Sequence, residues 1–227
     1  MADVLIQILK DYDAARRRST RLREIAKAHD SIAGAKEYAD IAGRLMTEAI
    51  TKHIDPATAD PEALEPILTQ ALSRLHLDVS RVTANVHRAL NRAAGIGLNG
   101  LEVGFEPYLA QQVLEAIAGK ETTAEFILNQ VANVALQAMD KTMARNAEAE
   151  DDAGLTVRIV RKYDDVGVHD GKDPCEWCLA REGEWDSYEE AFNAGAFERH
   201  PGCGCFIDYH VGKTHTFQRR AGSWTNW

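Results

Sequence analysis

The chain of 227 residues is predicted to fold as a mainly α-helical N-terminal region followed by a small α+β domain. Apolar residues recur at steps of three and four through the first two-thirds of the sequence, as they do on buried helix faces. Later segments alternate apolar and polar residues, as strands do. The four cysteines all lie in this later part, in the stretches DPCEWC and HPGCGC. These observations place the helical region at 1–147, the α+β domain at 155–212 and a tail at 213–227.

The apolar stripes predict five helices in the N-terminal region. The inward positions of the first three are Leu5, Ile8, Leu9 and Tyr12; Tyr38, Ile41, Leu45 and Ile50; and Leu64, Ile67, Leu68, Leu72, Leu75, Val79, Val82, Val86 and Leu90. Three prolines in DPATADPEALEP separate the second helix from the third. A shorter helix is predicted over 107–118. The last helix is expected to begin at a capping box formed by Thr122 and Glu125.

The C-terminal domain is predicted to contain two strands with one helix between them. The acidic stretch AEAEDDAG indicates a flexible junction before it. The segment LTVRIVRKY places one set of alternate residues on a single face: Leu155, Val157, Ile159 and Arg161. A second strand is predicted over 205–211. In the helix SYEEAFNAGAF, Ser187 is the expected N-cap and Glu190 occupies the reciprocal position of a capping box.

Two other stretches resemble functional motifs. GIGLNG has the spacing of a dinucleotide-binding loop, but a helix is predicted before it where that motif requires a strand, so an ordinary loop is expected. ARRRSTRLR carries five arginines on a predicted helix. Because they are distributed around most of the helix circumference, we expect solvated or protein-contacting side chains rather than a phosphate-binding surface.

Composition restricts the classes of function. The net charge of −9 disfavours a free-standing nucleic-acid binder, which normally presents a basic surface. The first residues, MADVLIQILK, lack the features of a secretory signal, and we expect a soluble chain made in the cytosol. Thiols stay reduced in that compartment, so paired cysteines indicate metal binding or redox chemistry rather than disulfides.

The cysteine spacing predicts a structural zinc site. Cys175 and Cys178 are three residues apart on an expected turn, and Cys203 and Cys205 point to the same face of an extended segment. Four thiolates can complete a tetrahedral site with Zn–S distances of about 2.3 Å. His200 is a fifth candidate ligand, and a Cys₃His set is the closest variant. A redox Cys-x-x-Cys pair and two incidental reduced pairs remain alternatives.

These residues resemble the C-terminal domain of phage minor head proteins, the head morphogenesis family that includes the Mu protein F-like and SPP1-type members. The resemblance rests on the order strand, DPCEWC, short helix, HPGCGCFIDY, and on the His-Pro-x-Cys-x-Cys pattern at 200–205. It covers about residues 155–212. Gly204 stands where arginine is common in the family.

The resemblance implies a structural protein of the virion, made in the host cytoplasm and carried in the phage head. It implies that the helical region contacts the portal or capsid subunits, and that the protein takes part in head assembly or DNA delivery, with contact to packaged DNA as a further expectation. A closed zinc site implies no enzymatic activity.

Two alternatives belong to other classes of function, a nuclease and a DNA-binding protein. A zinc-stabilised nuclease of the His-Asn-His type would need a base and a second metal site. The candidates are His169, His210 and His215 as bases and Asp164, Asp165 and Asp170 as ligands, but their spacing matches no known pairing. A zinc-finger DNA-binding protein would need a basic surface, and 155–227 carries nine basic against twelve acidic residues.

The tail KTHTFQRRAGSWTNW is predicted to be a binding segment that orders on a partner. It lacks helical or strand periodicity, and its only aliphatic residue is Ala221, so it has no core of its own. Phe217, Trp224 and Trp227 are typical anchors of interfaces. The alternative is that these tryptophans pack against the surface of their own chain.

Overall fold

The fold described by the computed structural model covers residues 2–55, 59–117, 124–163, 175–200 and 202–212. Its N-terminal helices are α1 Ala2–Arg18, α2 Thr20–Ala28, α3 Ile32–His53, α4 Pro61–Ala93, α5 Tyr108–Ile117 and α6 Ala124–Asp152. They are followed by β1 Thr156–Tyr163, α7 Glu176–Leu179, β2 Gly183–Trp185, α8 Tyr188–Asn193 and β3 Cys205–Gly212. This order confirms the predicted fold class, a helical region followed by a small α+β domain.

Side-chain caps set where several helices begin. The Ser19 hydroxyl accepts a hydrogen bond from the Leu22 amide at 3.2 Å, and this cap divides the arginine-rich stretch between two helices. Asp60 caps α4, in which Pro61 occupies the first turn, where its missing amide hydrogen costs nothing. The arginine-rich stretch makes protein contacts, since Arg21 binds Glu37 at 2.6 Å. The predicted capping residue Thr122 lies outside the described residues.

Three long helices, α3, α4 and α6, form the centre of the molecule. The closest approach is between α3 and α6, where an added Cβ at Gly43 would lie 3.0 Å from the Cα of Ala132. Met46, Leu72 and Met139 are fully buried between these helices. None of the described helices combines the length and the apolar composition that crossing a membrane requires.

The sheet is antiparallel, with the order β2-β1-β3. In its register Ile159 pairs with Trp185 on one side and with Tyr209 on the other, and Tyr163 pairs with Cys205. The inward residues Val157, Ile159, Ile207 and Tyr209 belong to the same buried cluster as the helical core. The sheet therefore packs directly on the helices, and its end near Cys205 positions the second cysteine pair.

The expected junction AEAEDDAG is helical through Asp152, and the predicted boundary at residue 147 is therefore five residues too early. Glu150 explains the extension. Its carboxylate is buried, where Asn91 donates to it at 2.6 Å and the Tyr209 hydroxyl donates to its other oxygen. These bonds hold an acidic segment in the helix that would otherwise favour solvent. Just past the end of the helix, Gly154 has a φ of 76°, the left-handed conformation that commonly follows a helix.

The loop prediction for GIGLNG is confirmed, because residues 96–100 form neither helix nor strand. Gly95 has a φ of 69°, which lets the chain turn out of α4. A Cβ at Gly100 would lie 1.7 Å from the carbonyl oxygen of Ala84, so only glycine fits against α4 there. Gly95 thus allows the chain to reverse direction, and Gly100 allows the loop to pack closely on α4.

Candidate metal centre

The five predicted ligands come from three neighbouring segments. Cys175 is the N-cap of α7 and Cys178 lies on it. His200 and Cys203 lie in the loop after α8, and Cys205 begins β3. The one-turn helix brings the first two cysteines to the same side, because residues three apart on a helix are neighbours. A hydrogen bond from the Cys203 amide to the His200 carbonyl at 3.0 Å turns the loop towards α7.

The ligand atoms lie close together. His200 Nε2 is 3.3 Å from the sulfur of Cys175 and 3.1 Å from that of Cys178. The Cys178 sulfur is in turn 3.7 Å from that of Cys203. The structure thus brings a histidine nitrogen close to both cysteines of the first pair.

Two groups of three ligands meet at Cys178. Cys175, Cys178 and His200 form one, and Cys178, Cys203 and Cys205 form the other, with the ligand atoms of each group within 4.8 Å of one another. Cys175 is exposed, whereas the other three cysteines are buried. This arrangement can hold a metal ion at the boundary between the interior and the solvent, and all four cysteines are free thiols.

Arg161 supplies positive charge beneath the cluster. Its side chain is only 1% exposed, and its Nη2 lies 3.5 Å from the Cys203 sulfur. Nη1 donates to the carbonyl oxygens of Ala196, at 2.8 Å, and of Glu198. No described carboxylate forms an ion pair with it at contact distance. A buried guanidinium needs compensating negative charge, and the thiolates are the nearest source.

Arg199 supports the same loop from the helical side. Its buried guanidinium pairs with the fully buried carboxylate of Asp140 on α6, with Nε 2.7 Å from Oδ2. It also donates to the backbone oxygens of Cys203 and Cys205, both at 3.0 Å. The loop that carries His200 and Cys203 is therefore fastened to α6 by one side chain.

Trp177 covers the cluster from outside. Its ring lies 5.0 Å from that of His200 in an edge-on arrangement, and the Arg181 guanidinium stacks on it at 3.8 Å. This ring shields His200 from solvent and restricts its orientation. The tryptophan between the two cysteines of the CEWC motif is thus part of the site.

The pKa values of three thiols are shifted in different directions. A hydrogen bond from Cys205, helped by the nearby charges of Arg199 and Arg161, lowers the pKa of Cys203 to about 4. Burial, together with the charge of Cys203, raises the pKa of Cys178 to about 12. The hydrogen bond to Cys203 also raises the pKa of Cys205. A thiolate at Cys203 therefore disfavours ionisation of Cys178 and Cys205. An added cation would allow several thiolates to coexist here.

The structure brings together the five candidate ligands named from the sequence, but the residues that support them were not predicted. Arg161 occupies the inward face of the predicted strand, so its burial could have been inferred from the alternation. Asp140 and Arg199 carried no signal. Of the nuclease candidates, His210 is exposed at the opposite end of β3, beside Asp208; the other five lie outside the described residues.

Comparisons of the chain with protein-family models, with curated proteins and with solved structures gave no significant match.

Proposed function

We propose that the chain is a structural minor head protein of a bacteriophage and that its C-terminal domain is held together by zinc. The observation that carries the proposal is the meeting of two ligand groups at Cys178, whose sulfur lies 3.1 Å from Nε2 of His200 and 3.7 Å from the sulfur of Cys203. Thiolate and imidazole ligands in a tetrahedral set favour Zn²⁺. Two sulfurs bound to one such ion lie about 3.8 Å apart for Zn–S distances of about 2.3 Å. The 3.7 Å between Cys178 and Cys203 fits that spacing.

The charges around the cluster favour three thiolates and one histidine. Arg161 and Arg199 are buried cations, and Asp140 is a buried anion, so these three side chains carry a net charge of +1. A divalent ion with three thiolates and a neutral imidazole carries −1, and the buried group is then neutral. Four thiolates would leave one uncompensated negative charge, which is costly in the interior. The fourth thiol, Cys205, then serves as a hydrogen-bond donor to Cys203.

Such a site is structural. Four protein ligands close the coordination sphere and leave no position for a substrate or an activated water. The ion's contribution is to join α7 to the loop before β3. Because Arg199 fastens that same loop to α6, the metal stabilises the contact between the sheet and the helices.

The role in the phage head is supported by the resemblance at 155–212 and by the architecture. In the proposed arrangement the helical region contacts the portal or a capsid subunit, and the zinc-bound domain packs on it as a rigid support. A structural protein needs such fixed geometry more than an open pocket. The nuclease alternative has less support, since its only described base candidate, His210, lies far from the cluster.

The experiment combines three measurements on the purified full chain. Elemental analysis is expected to give one zinc per chain. Binding to a phage portal protein is expected in a pull-down, and the chain is expected in purified heads at a few copies per particle. A nuclease assay with Mg²⁺ or Mn²⁺ should show no cleavage. Metal-dependent DNA cleavage together with absence from heads would replace the structural role by the enzymatic alternative.

A further inference from the structure

A groove of about 1000 Å³ runs between the helical region and the metal-binding domain. Its floor is the face of α6 from Phe126 to Ala144, one wall is α5, and the other wall includes Trp177 and His200 from the metal centre. The groove therefore lies beside the zinc ligands without being part of their site.

Amide side chains line the floor at the helical repeat. Asn129, Gln130, Asn133 and Gln137 all face the groove from α6. Steps of four residues along a helix advance about 6 Å. An extended polypeptide repeats every two residues, or about 6.7 Å, and presents a backbone N–H and C=O towards one side at that repeat. A row of amides, each offering a donor and an acceptor, thus matches the main chain of an extended peptide.

One of these amides is unpartnered. Asn133 is 7% exposed, and its Oδ1 atom has no hydrogen-bond partner although it is buried. A buried carbonyl oxygen without a donor is unfavourable by about 1 to 3 kcal/mol. The position of Asn133 at the middle of the floor indicates that a ligand supplies this donor.

Aromatic rings border the groove on both sides. They are Tyr108, Phe126, Trp177, Phe192 and Phe197. Two of them, Tyr108 and Phe192, are 45% and 59% exposed, so their rings are accessible to a segment lying in the groove. Rings above an amide floor suit a segment whose main chain lies on the amides and whose large side chains pack against the rims.

We propose that this groove binds residues 213–227 of the same chain in an extended conformation. This segment follows β3 directly and contains Phe217, Trp224 and Trp227, with Ala221 as its only aliphatic residue. Its aromatic anchors are separated by polar and basic residues, which is a composition that the groove can accommodate. The proposal adopts the alternative in which the tail packs on its own chain, and it is independent of the proposed role in the phage head.

Reach and charge support this occupant. β3 ends at Gly212, which pairs with Thr156, close to the end of α6. From there about 12 Å along α6 leads back to Ala144, and a further 22 Å or so leads to Asn129. Fifteen extended residues reach about 50 Å, which is enough. The tail carries three basic and no acidic residues, a charge of +3. Since the whole chain has a net charge of −9, residues 1–212 have a net charge of −12. Electrostatic attraction therefore favours contact between the tail and the rest of the chain.

The test places a photoreactive residue, p-benzoylphenylalanine, at Gln137 of the full-length, metal-loaded chain. After irradiation, mass spectrometry is expected to find crosslinks to 213–227 within one chain, with a yield independent of protein concentration. Gln70, an exposed glutamine on α4 outside the groove, is the matched control and should give no such product. No crosslink to the tail, or crosslinks only between two copies, would overturn the proposal.

Two variants test the contacts themselves. Replacing both tail tryptophans, Trp224→Ser with Trp227→Ser, cannot unfold the described core and should lower the crosslink yield about tenfold, because such anchors dominate docking. Asn133→Leu, which keeps the side-chain size but removes the amide, should lower it about fivefold. Unchanged yields in both variants would show that the tail meets Gln137 without using the groove.

Discussion

The guanidinium of Arg199 and the carboxylate of Asp140 form a buried ion pair, with Nε 2.7 Å from Oδ2, that links the metal-binding loop to α6. The two side chains are 2% and 0% exposed. Arg199 uses its remaining donors on the backbone of the loop, at Cys203 and Cys205. The pair is thus the point where the helical region and the metal centre depend on each other.

Asp140→Asn is expected to destabilise the protein by about 3 to 5 kcal/mol, because it leaves the Arg199 charge buried without a partner. Urea unfolding measures this change. Glu148→Gln is the control, since it breaks the exposed pair between Arg145 and Glu148 on the same helix. That change should cost no more than about 1 kcal/mol. Equal losses in the two variants would contradict a special role for the buried pair.

Arg161→Met is expected to weaken metal binding about 10- to 100-fold, because it removes the cation beneath the thiolates. Competition with a chromophoric chelator measures the affinity. Arg158 lies three residues away on the same strand, on the opposite face of the sheet, and pairs with the exposed Glu184. Arg158→Met should leave the affinity unchanged. If both variants bind the metal as the unchanged protein does, Arg161 does not compensate the site.

His200→Ala and Cys205→Ala separate the two ligand sets. With three thiolates and one histidine in the site, His200→Ala should lose stoichiometric metal and Cys205→Ala should retain one ion per chain. Elemental analysis after gel filtration gives the counts, and Cys203→Ala serves as the variant that should lose metal in either case. Retention in His200→Ala combined with loss in Cys205→Ala would establish a site of four thiolates.

His76 is expected to make the helical core sensitive to acid. Burial, with a smaller effect of the Lys141 charge, lowers the pKa of His76 to about 4 from its ordinary 6.5. Both ring nitrogens lack hydrogen-bond partners, and the ring meets Phe105 edge-on. The unfolded chain therefore binds the proton more tightly than the folded one. Stability should be complete above pH 6.5 and fall by up to about 3 kcal/mol as the pH drops towards 4.

Urea unfolding of His76→Leu at pH 7 and pH 4.5 checks this effect. The leucine variant should lose less stability between the two values than the unchanged protein. His210→Asn, at an exposed position on β3, is the control and should keep the full acid sensitivity. The same pH dependence in His76→Leu and in the unchanged protein would show that other groups cause the loss.

Local patterns were sufficient to predict most of the fold. The apolar stripes predicted α1 and α3 to α6 but not α2, which the Ser19 cap separates from α1. The Ser187 cap is confirmed by its bond from the Glu190 amide at 3.2 Å. The short elements β2 and α7 were missed, since three or four residues carry no readable period. The end of α6 was missed because Glu150 is held by Asn91 and Tyr209, which are distant in sequence.

The candidate site, like the fold, was predicted where the signal is local in sequence and missed where it is not. Its candidate ligands could be named from the sequence because a metal site imposes a spacing on cysteines that is visible there. The supporting residues were not, because a buried ion pair such as that of Asp140 and Arg199 is defined only after two remote segments pack. The predicted roles of the tail fall on residues 213–227, which lie outside the described residues.

The continuity of α6 has a consequence for dividing the protein. A chain ended at residue 147 would stop inside the helix and lose Glu150, which takes the hydrogen bond of the fully buried Asn91. The inner face of the sheet, including Val157 and Ile207, would be lost from the common core as well. The helical part would then expose a strip of apolar surface and would aggregate. Neither part can be exchanged between proteins as a separate unit. Joining either part to another protein at residue 147, where the sequence pattern changes, would yield insoluble products.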